Sequence, residues 1–207
     1  METKMKISVI LGHPNKGSFN HAIADSAVKT MSGSGHEVFF HDLCEEKFNP
    51  VLTYAEITKG PVLDPVLQAH CSEIAAADGI IIVHPNWWGQ PPAVLKGWID
   101  RVIRAGVAYE FSAGDGGEGV PIGLLKAKTA LVFNTSDTPG ERELEVFGDP
   151  LETIWKNCVF DYCGVKNFYR KTYGVITNST PEQRKLWLQD VRETVCKYFP
   201  QNGGLND

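Results

Sequence analysis

Three short stretches hold most of the side chains able to do chemistry. The first is Gly12-His13-Pro14-Asn15-Lys16-Gly17-Ser18-Phe19-Asn20, between an apolar run and an amphipathic one. A helix that starts there leaves its first backbone N–H groups without partners, and its dipole attracts an anion. Ser18 and Asn20 add side-chain donors. The Gly12 to Gly17 spacing copies a nucleotide P-loop, but Ser18-Phe19 stands where that loop needs Lys followed by Ser or Thr. A Gly-x-Gly-x-x-Gly fingerprint is also absent, because position 14 is proline. The second stretch, His84-Pro85-Asn86-Trp87-Trp88-Gly89-Gln90-Pro91-Pro92, sets two adjacent tryptophans among amides. Aromatic walls beside polar amides suit a flat conjugated ligand. The plainer alternative has one indole packing inward while the other shields the loop. The third stretch, Asn134-Thr135-Ser136-Asp137-Thr138-Pro139-Gly140, is small and polar. Its N–H and hydroxyl donors suit the polar edge of such a ligand, although by itself it is a turn signal.

Other candidates read as structural. His13 and His84 flank these loops, whereas His21, His36, His41 and His70 share no spacing, so no metal site is expected. Five cysteines, Cys44, Cys71, Cys158, Cys163 and Cys196, form no Cys-x-x-Cys pair and read as buried thiols in a reducing cytosol. Trp98, Trp155 and Trp187 fall on helical apolar stripes and read as core. The 207 residues carry a net charge of −5 without a basic block, which excludes a phosphate-neutralising nucleic-acid surface. No stretch approaches the roughly 20 apolar residues of a membrane span. The start, Met1 to Lys6, does not read as a signal peptide. A cytoplasmic location is expected.

The elements that must position the loops follow from periodicity. Ile7 to Leu11, Glu37 to His41, Gly79 to His84, Thr129 to Phe133 and a run within 165–175 read as strands. Helices are expected after the Ser18 cap, after Asp64-Pro65, from Pro91-Pro92, across Leu151, Ile154, Trp155, Cys158 and Tyr162, and after Thr180-Pro181. Residues 43–62 read as an irregular connection and 106–127 as a loop with a glycine cluster. Continuous apolar strands alternating with helices predict an α/β fold: a doubly wound five-stranded parallel sheet, order 2-1-3-4-5, with helices on both faces. The crevice of that fold lies outside the carboxyl ends of strands one and three, where the three loops converge. One domain over 1–207 is expected, with a mobile polar tail at about 200–207.

At these loops the chain resembles the NAD(P)H:quinone oxidoreductase family of flavodoxin-like flavoenzymes. The resemblance is carried by His13-x-x-x-x-Ser18-Phe19-Asn20 and by Pro85-x-x-Trp88 with Pro92-Ala93-Val94-Leu95-Lys96-Gly97-Trp98-Ile99-Asp100-Arg101-Val102. It extends to Cys163-Gly164 and Thr180-Pro181. It implies a flavin phosphate or pyrophosphate at Gly17, Ser18, Phe19 and Asn20 near His13, and an isoalloxazine ring along Pro85, Asn86, Trp87, Trp88 and Gly89. The ring's polar edge would lie at Asn134, Thr135, Ser136 and Asp137. Arg184 resembles the residue that borders the adenine in FAD-using relatives, which favours FAD over FMN. The resemblance further implies two-electron, ping-pong transfer from NAD(P)H to a quinone-like flat acceptor, in a homodimer. An electron carrier or flavin-binding regulatory subunit without nicotinamide turnover is the alternative. The chain departs from the family after the third loop. The tyrosine and histidine found there in animal members are missing, Phe147 falls near the histidine's place, and the family's Gly-Gly is absent. No catalytic side chain is therefore assigned; Arg142 is the one cation before Leu151, and it is expected to pair with Glu141, Glu143 or Glu145.

Overall fold

The computed structural model describes residues 4–58, 61–112, 114 and 118–201. Most of the polar tail, 202–207, and residues 115–117 of the glycine cluster at 114–119 lie outside them. The strands β1 (Lys6–Leu11), β2 (Glu37–Asp42), β3 (Gly79–Pro85), β6 (Thr129–Ser136) and β7 (Asn167–Gly174) form one parallel sheet. Their order is β2-β1-β3-β6-β7, which is 2-1-3-4-5 when only these five are counted. The small strands β4 (Tyr109–Glu110) and β5 (Ile122–Gly123) pair antiparallel inside the segment read as a plain loop.

Successive residues of a strand face opposite sides, so the central strands feed two cores. Ile10, Ile80, Ile82, Ala130 and Val132 face α3 (Pro65–Ala76), α4 (Ala93–Val102) and a helical segment around Trp155. Val9, Leu11, Ile81, Val83, Leu131 and Phe133 face α1 (Phe19–Gly33) and α7 (Pro181–Tyr198). Both faces are covered, which is why these strands are continuously apolar. The expected caps form: Ser18, Asp64 and Thr180 accept from the backbone N–H of His21, Leu67 and Gln183.

Five expectations change. The helix expected at Leu151 opens as a short α6 (Pro150–Glu152) and widens into a π-helical run, Thr153–Asp161. The wider turn buries Trp155, Val159 and Phe160, and leaves Cys158 and Tyr162 exposed. A helix that periodicity did not reveal, α5 (Gly140–Phe147), has no buried residue, so it offers no core-facing stripe to read. The 43–62 connection holds the short α2 (Tyr54–Ile57) and is fixed by its own contacts. Arg101 on α4 donates to Glu56, to Asp64 and to the Asn49 carbonyl. A Cβ on Gly97 would lie 2.2 Å from the Pro50 oxygen, so the connection lies directly against α4. Trp187 is half-buried rather than core, and packs on Phe19 and Tyr173. Of the thiols, Cys71 and Cys163 are buried, Cys44 is intermediate, and Cys158 and Cys196 are exposed; none is bonded to another.

Candidate functional site

The three loops meet at the carboxyl end of the sheet around a crevice of about 580 Å³, within the usual size of a small-molecule site. It is lined by His13, Gly17, Ser18, Phe19 and Asn20 from the first loop, and by Pro85, Asn86, Trp87 and Trp88 from the second. Thr135, Ser136 and Asp137 come from the third loop, and Arg184 from α7. Asn15, Thr138 and Ile176 complete the wall; the sequence reading did not single them out as ligand-binding.

Each loop is held from within. Ser18 caps α1, so the N–H groups of Phe19 and Asn20 open toward the crevice without helical acceptors. Gly17 N–H donates to Asn15 Oδ1 at 3.0 Å, and Asn15 N–H to His13 Nδ1 at 3.1 Å. Burial lowers the His13 pKa against the opposing bond to the Asn15 backbone. Asn20 is buried; its Nδ2 donates to Thr135 Oγ1 at 2.8 Å, and its Oδ1 has no partner among the described residues. A buried acceptor left unpaired costs free energy, so a donor-bearing ligand fits here. In the third loop Ser136 Oγ accepts from Thr138 N–H, and Asp137 Oδ1 accepts from Thr177 N–H at 2.7 Å. Arg184 is braced by the Ser179 hydroxyl and the Ile176 carbonyl, with its guanidinium 5.8 Å from the Phe19 ring.

Neither indole of the second loop packs inward. Trp87 is 44% exposed and leans on His13, with ring centroids 5.9 Å apart; Trp88 is 99% exposed. Trp88 has φ 59°, a left-handed conformation that a large side chain adopts only when its surroundings impose it. Trp88 also borders a second cavity of about 570 Å³, with Gly89, Glu143, Phe147 and Pro150.

Some expected site residues lie elsewhere. Gly89, with φ 68°, lines the second cavity and not the crevice. Asn134 and His84 are 0% exposed and lie beneath the crevice as its support. Burial drives the His84 pKa down to about 4, despite its bond to the Pro85 carbonyl, and nearby Arg170 lowers it further. Among the described residues Arg142 has no carboxylate partner: it is exposed, lies 6.0 Å from the Phe147 ring, and lines neither cavity.

Two of the histidines without common spacing, His41 and His70, meet in space, with ring centroids 3.9 Å apart. His41 Nδ1 lies 2.9 Å from Glu46, its Nε2 2.5 Å from Glu73, and His70 Nε2 3.3 Å from Glu46. His41, Glu46 and His70 are close enough to surround a metal ion. The chemistry opposes it, because Trp98 Nε1–H donates to His70 Nδ1. An indole N–H can only donate, so a neutral His70 carries its proton on Nε2, where the metal would bind. The cluster acts as a proton-bearing clasp instead.

The chain is a doubly wound α/β protein, the class of fold whose ligands bind in the crevice at the switch point of the sheet. A family model described as flavodoxin-like fold matches residues 5–197. An uncharacterized NAD(P)H oxidoreductase of Haemophilus influenzae is 34% identical over 186 residues, 87% of this chain and 89% of that protein. NAD(P)H dehydrogenase (quinone) 1 of Rattus norvegicus is 28% identical over 218 residues, 93% of this chain and 78% of that one. The solved structure of an NAD(P)H:quinone oxidoreductase from Methanothermobacter marburgensis shares the fold. Its TM-score is 0.80 at 24% identity, covering 95% of this chain and 98% of that one. The chain belongs to the flavodoxin-like family, in the branch that holds these oxidoreductases.

Proposed function

We propose that this chain is a single-domain, cytoplasmic, flavin-dependent oxidoreductase that passes two electrons as a hydride from NAD(P)H to a quinone or similar flat acceptor, the two substrates occupying the same place in turn. The observation that carries the reading is the convergence of a helix N-terminus, an aromatic loop and a polar turn on one crevice. The unpartnered Asn20 Oδ1 inside it supports a ligand with hydroxyl or N–H donors. A bound flavin would supply the redox chemistry, accepting hydride from the nicotinamide and yielding it to the acceptor.

The protein's own contributions are binding and orientation. The N–H groups of Phe19 and Asn20, with the Ser18 hydroxyl, hold phosphate at the positive end of α1. Pro85, Asn86 and Trp87 give the ring a flat seat, and Trp88 excludes water from one side. The end of β6 and the residue after it, Thr135 to Asp137, would border the edge where negative charge develops on reduction. Arg184 beside Phe19 offers a cationic surface for a second phosphate or an adenine, which favours FAD over FMN. No side chain is assigned to proton transfer.

The test is an absorption spectrum of the purified protein, followed by heat release and chromatography of its chromophore. A yellow protein that releases FAD, one per chain, is expected. Released FMN overturns the FAD assignment alone. A colourless protein that neither flavin reconstitutes overturns the reading. A flavin protein that forms a stable one-electron state and does not oxidise NAD(P)H would be an electron carrier.

A further inference from the structure

Under the aromatic loop lies a buried hydrogen-bond chain whose polarity is fixed at every atom. Arg170, on β7, donates from Nη1 to Asn134 Oδ1 at 3.1 Å. A guanidinium has only donors, so the Asn134 amide must present its oxygen to Arg170 and its nitrogen to the other side. That nitrogen lies 2.8 Å from His84 Nε2, which must therefore accept. Trp155 Nε1–H reaches the same nitrogen at 2.9 Å and fixes the assignment independently, because an indole cannot accept. The His84 proton is thus on Nδ1, which donates to the Pro85 carbonyl at 2.7 Å. Arg170 is itself anchored by Glu152 at 2.9 Å, by Asp149 and by Thr172.

The chain ends on the peptide that begins the aromatic loop. The Pro85 carbonyl is taken by His84, and the Asn86 N–H by the Thr135 carbonyl at 2.7 Å. With both ends fixed, that peptide cannot rotate. Asn86 Oδ1 then accepts from Gly89 N–H at 3.0 Å, and Trp87 and Gln90 exchange backbone bonds, which completes the loop. Rigid supports of this kind set a site's geometry before a ligand arrives.

We infer that His84 and Asn134, oriented by Arg170, are positioning residues of the redox site: they hold His84 as the uncharged Nδ1–H tautomer and lock the Pro85–Asn86 peptide, so that the aromatic loop is a preset seat for the flavin ring. The inference rests on the flavin reading above. The groups facing His84 are Asn134 and Arg170 from the sheet and Trp155 from the π-helical run, with Asp149 and Glu152 on the far side of Arg170. Asn134 and Trp155, the two groups within hydrogen-bond distance of His84 Nε2, both present donors to it and leave no place for a second imidazole proton. In Asn134→Asp, the new carboxylate accepts from Arg170 and also from a His84 Nε2–H, which displaces the Trp155 N–H from that nitrogen, so His84 should take up a proton.

The experiment follows the His84 ring resonances by NMR from pH 5 to 9, and titrates each variant with FAD and FMN. In the wild type His84 should not titrate in this range. In Asn134→Asp it should acquire a titration, and flavin affinity should become pH-dependent. In His84→Phe the apoprotein should keep its fold by circular dichroism, while flavin affinity falls about tenfold, the equivalent of roughly 1.4 kcal/mol. If His84→Phe does not fold, Asn134→Asp decides alone. A wild-type His84 that titrates near its ordinary pKa overturns the inference. So do variants whose flavin affinity and its pH dependence match the wild type. A wild-type protein that binds neither flavin overturns the functional reading itself, whatever His84 does.

Discussion

Two tryptophans ten residues apart separate function from packing. Trp88 is 99% exposed and makes a wall shared by two cavities, whereas Trp98 is 2% exposed and bonds His70. Trp88→Ala removes little buried area, so its melting temperature should stay close to wild type while turnover falls. Trp98→Ala empties a core site and should cost about 3–5 kcal/mol of stability. Thermal melts and steady-state turnover of both variants check the contrast. If Trp88→Ala melts the protein and the folded remainder is fully active, the indole is structural. At this scale the crevice was largely legible in the sequence. Thirteen of the fifteen residues expected to bind the cofactor line it; all but Arg184, on α7, sit at or beside a junction between a readable strand and the segment after it. Arg170 was not legible: its partner Asn134 is 36 residues away, and no local pattern marks a strand arginine as a buried anchor. Arg142, the one cation between the third loop and Leu151, is more conspicuous in the sequence yet lines neither cavity.

Among the elements, the five strands, the three caps and α1, α3, α4 and α7 were legible, since buried periodicity and capping residues mark them. The surface helix α5 was not, because burial leaves no trace on it, and neither was the π-helical run, whose wider turn breaks the expected spacing. The connection after β2 also looked formless because the contacts that order it are long-range. One of those contacts is a clasp with a definite pH window. Burial tends to raise the Glu46 pKa, but hydrogen bonds from His41 and His70 outweigh it and hold the carboxyl at about 2. Burial tends to lower the His41 pKa, but Glu46 and Glu73 outweigh it and raise it above 6.5. The Glu46 contribution is present above its ordinary 4.5 and is lost as pH falls through about 2. The His41 contribution is full below 6.5 and is lost as pH rises through the raised value. Both act together between 4.5 and 6.5. Glu46→Gln should therefore cost most stability near pH 5.5, on the order of 1 kcal/mol for these partly exposed pairs, and less above pH 8. Urea unfolding of wild type and variant at the two pH values measures this; an equal or larger loss at the higher pH would refute the clasp.

For the whole molecule, the apolar surface is unevenly placed. Val51, Leu52, Tyr54, Ile57, Val62 and Val66, all within one stretch of chain, are exposed, with Tyr54 at 85%. The outer face of α5 adds Leu144, Val146 and Phe147 beside the second cavity. Apolar surface gathered in this way marks an association surface, and a twofold pair is the commonest way to cover it. A homodimer is the expected state in solution. Light scattering at micromolar concentration should give twice the 22.9 kDa chain mass, and Tyr54→Lys should shift the mass toward the monomer. A monomeric wild type with full activity would contradict the dimer.

The reading of the crevice as a two-electron exchange site is tested most directly by separating its half-reactions. The flavin-loaded protein is mixed with NADH or NADPH without oxygen in a stopped-flow instrument, and the flavin absorbance is followed. A soluble quinone is then added in a second mixing step. The account predicts that one equivalent of reduced nicotinamide bleaches the flavin in a fast single phase, and that the quinone restores the colour without further nicotinamide. A bound flavin that stays yellow with both nicotinamides, or one that bleaches and returns no electrons to any quinone, would contradict it.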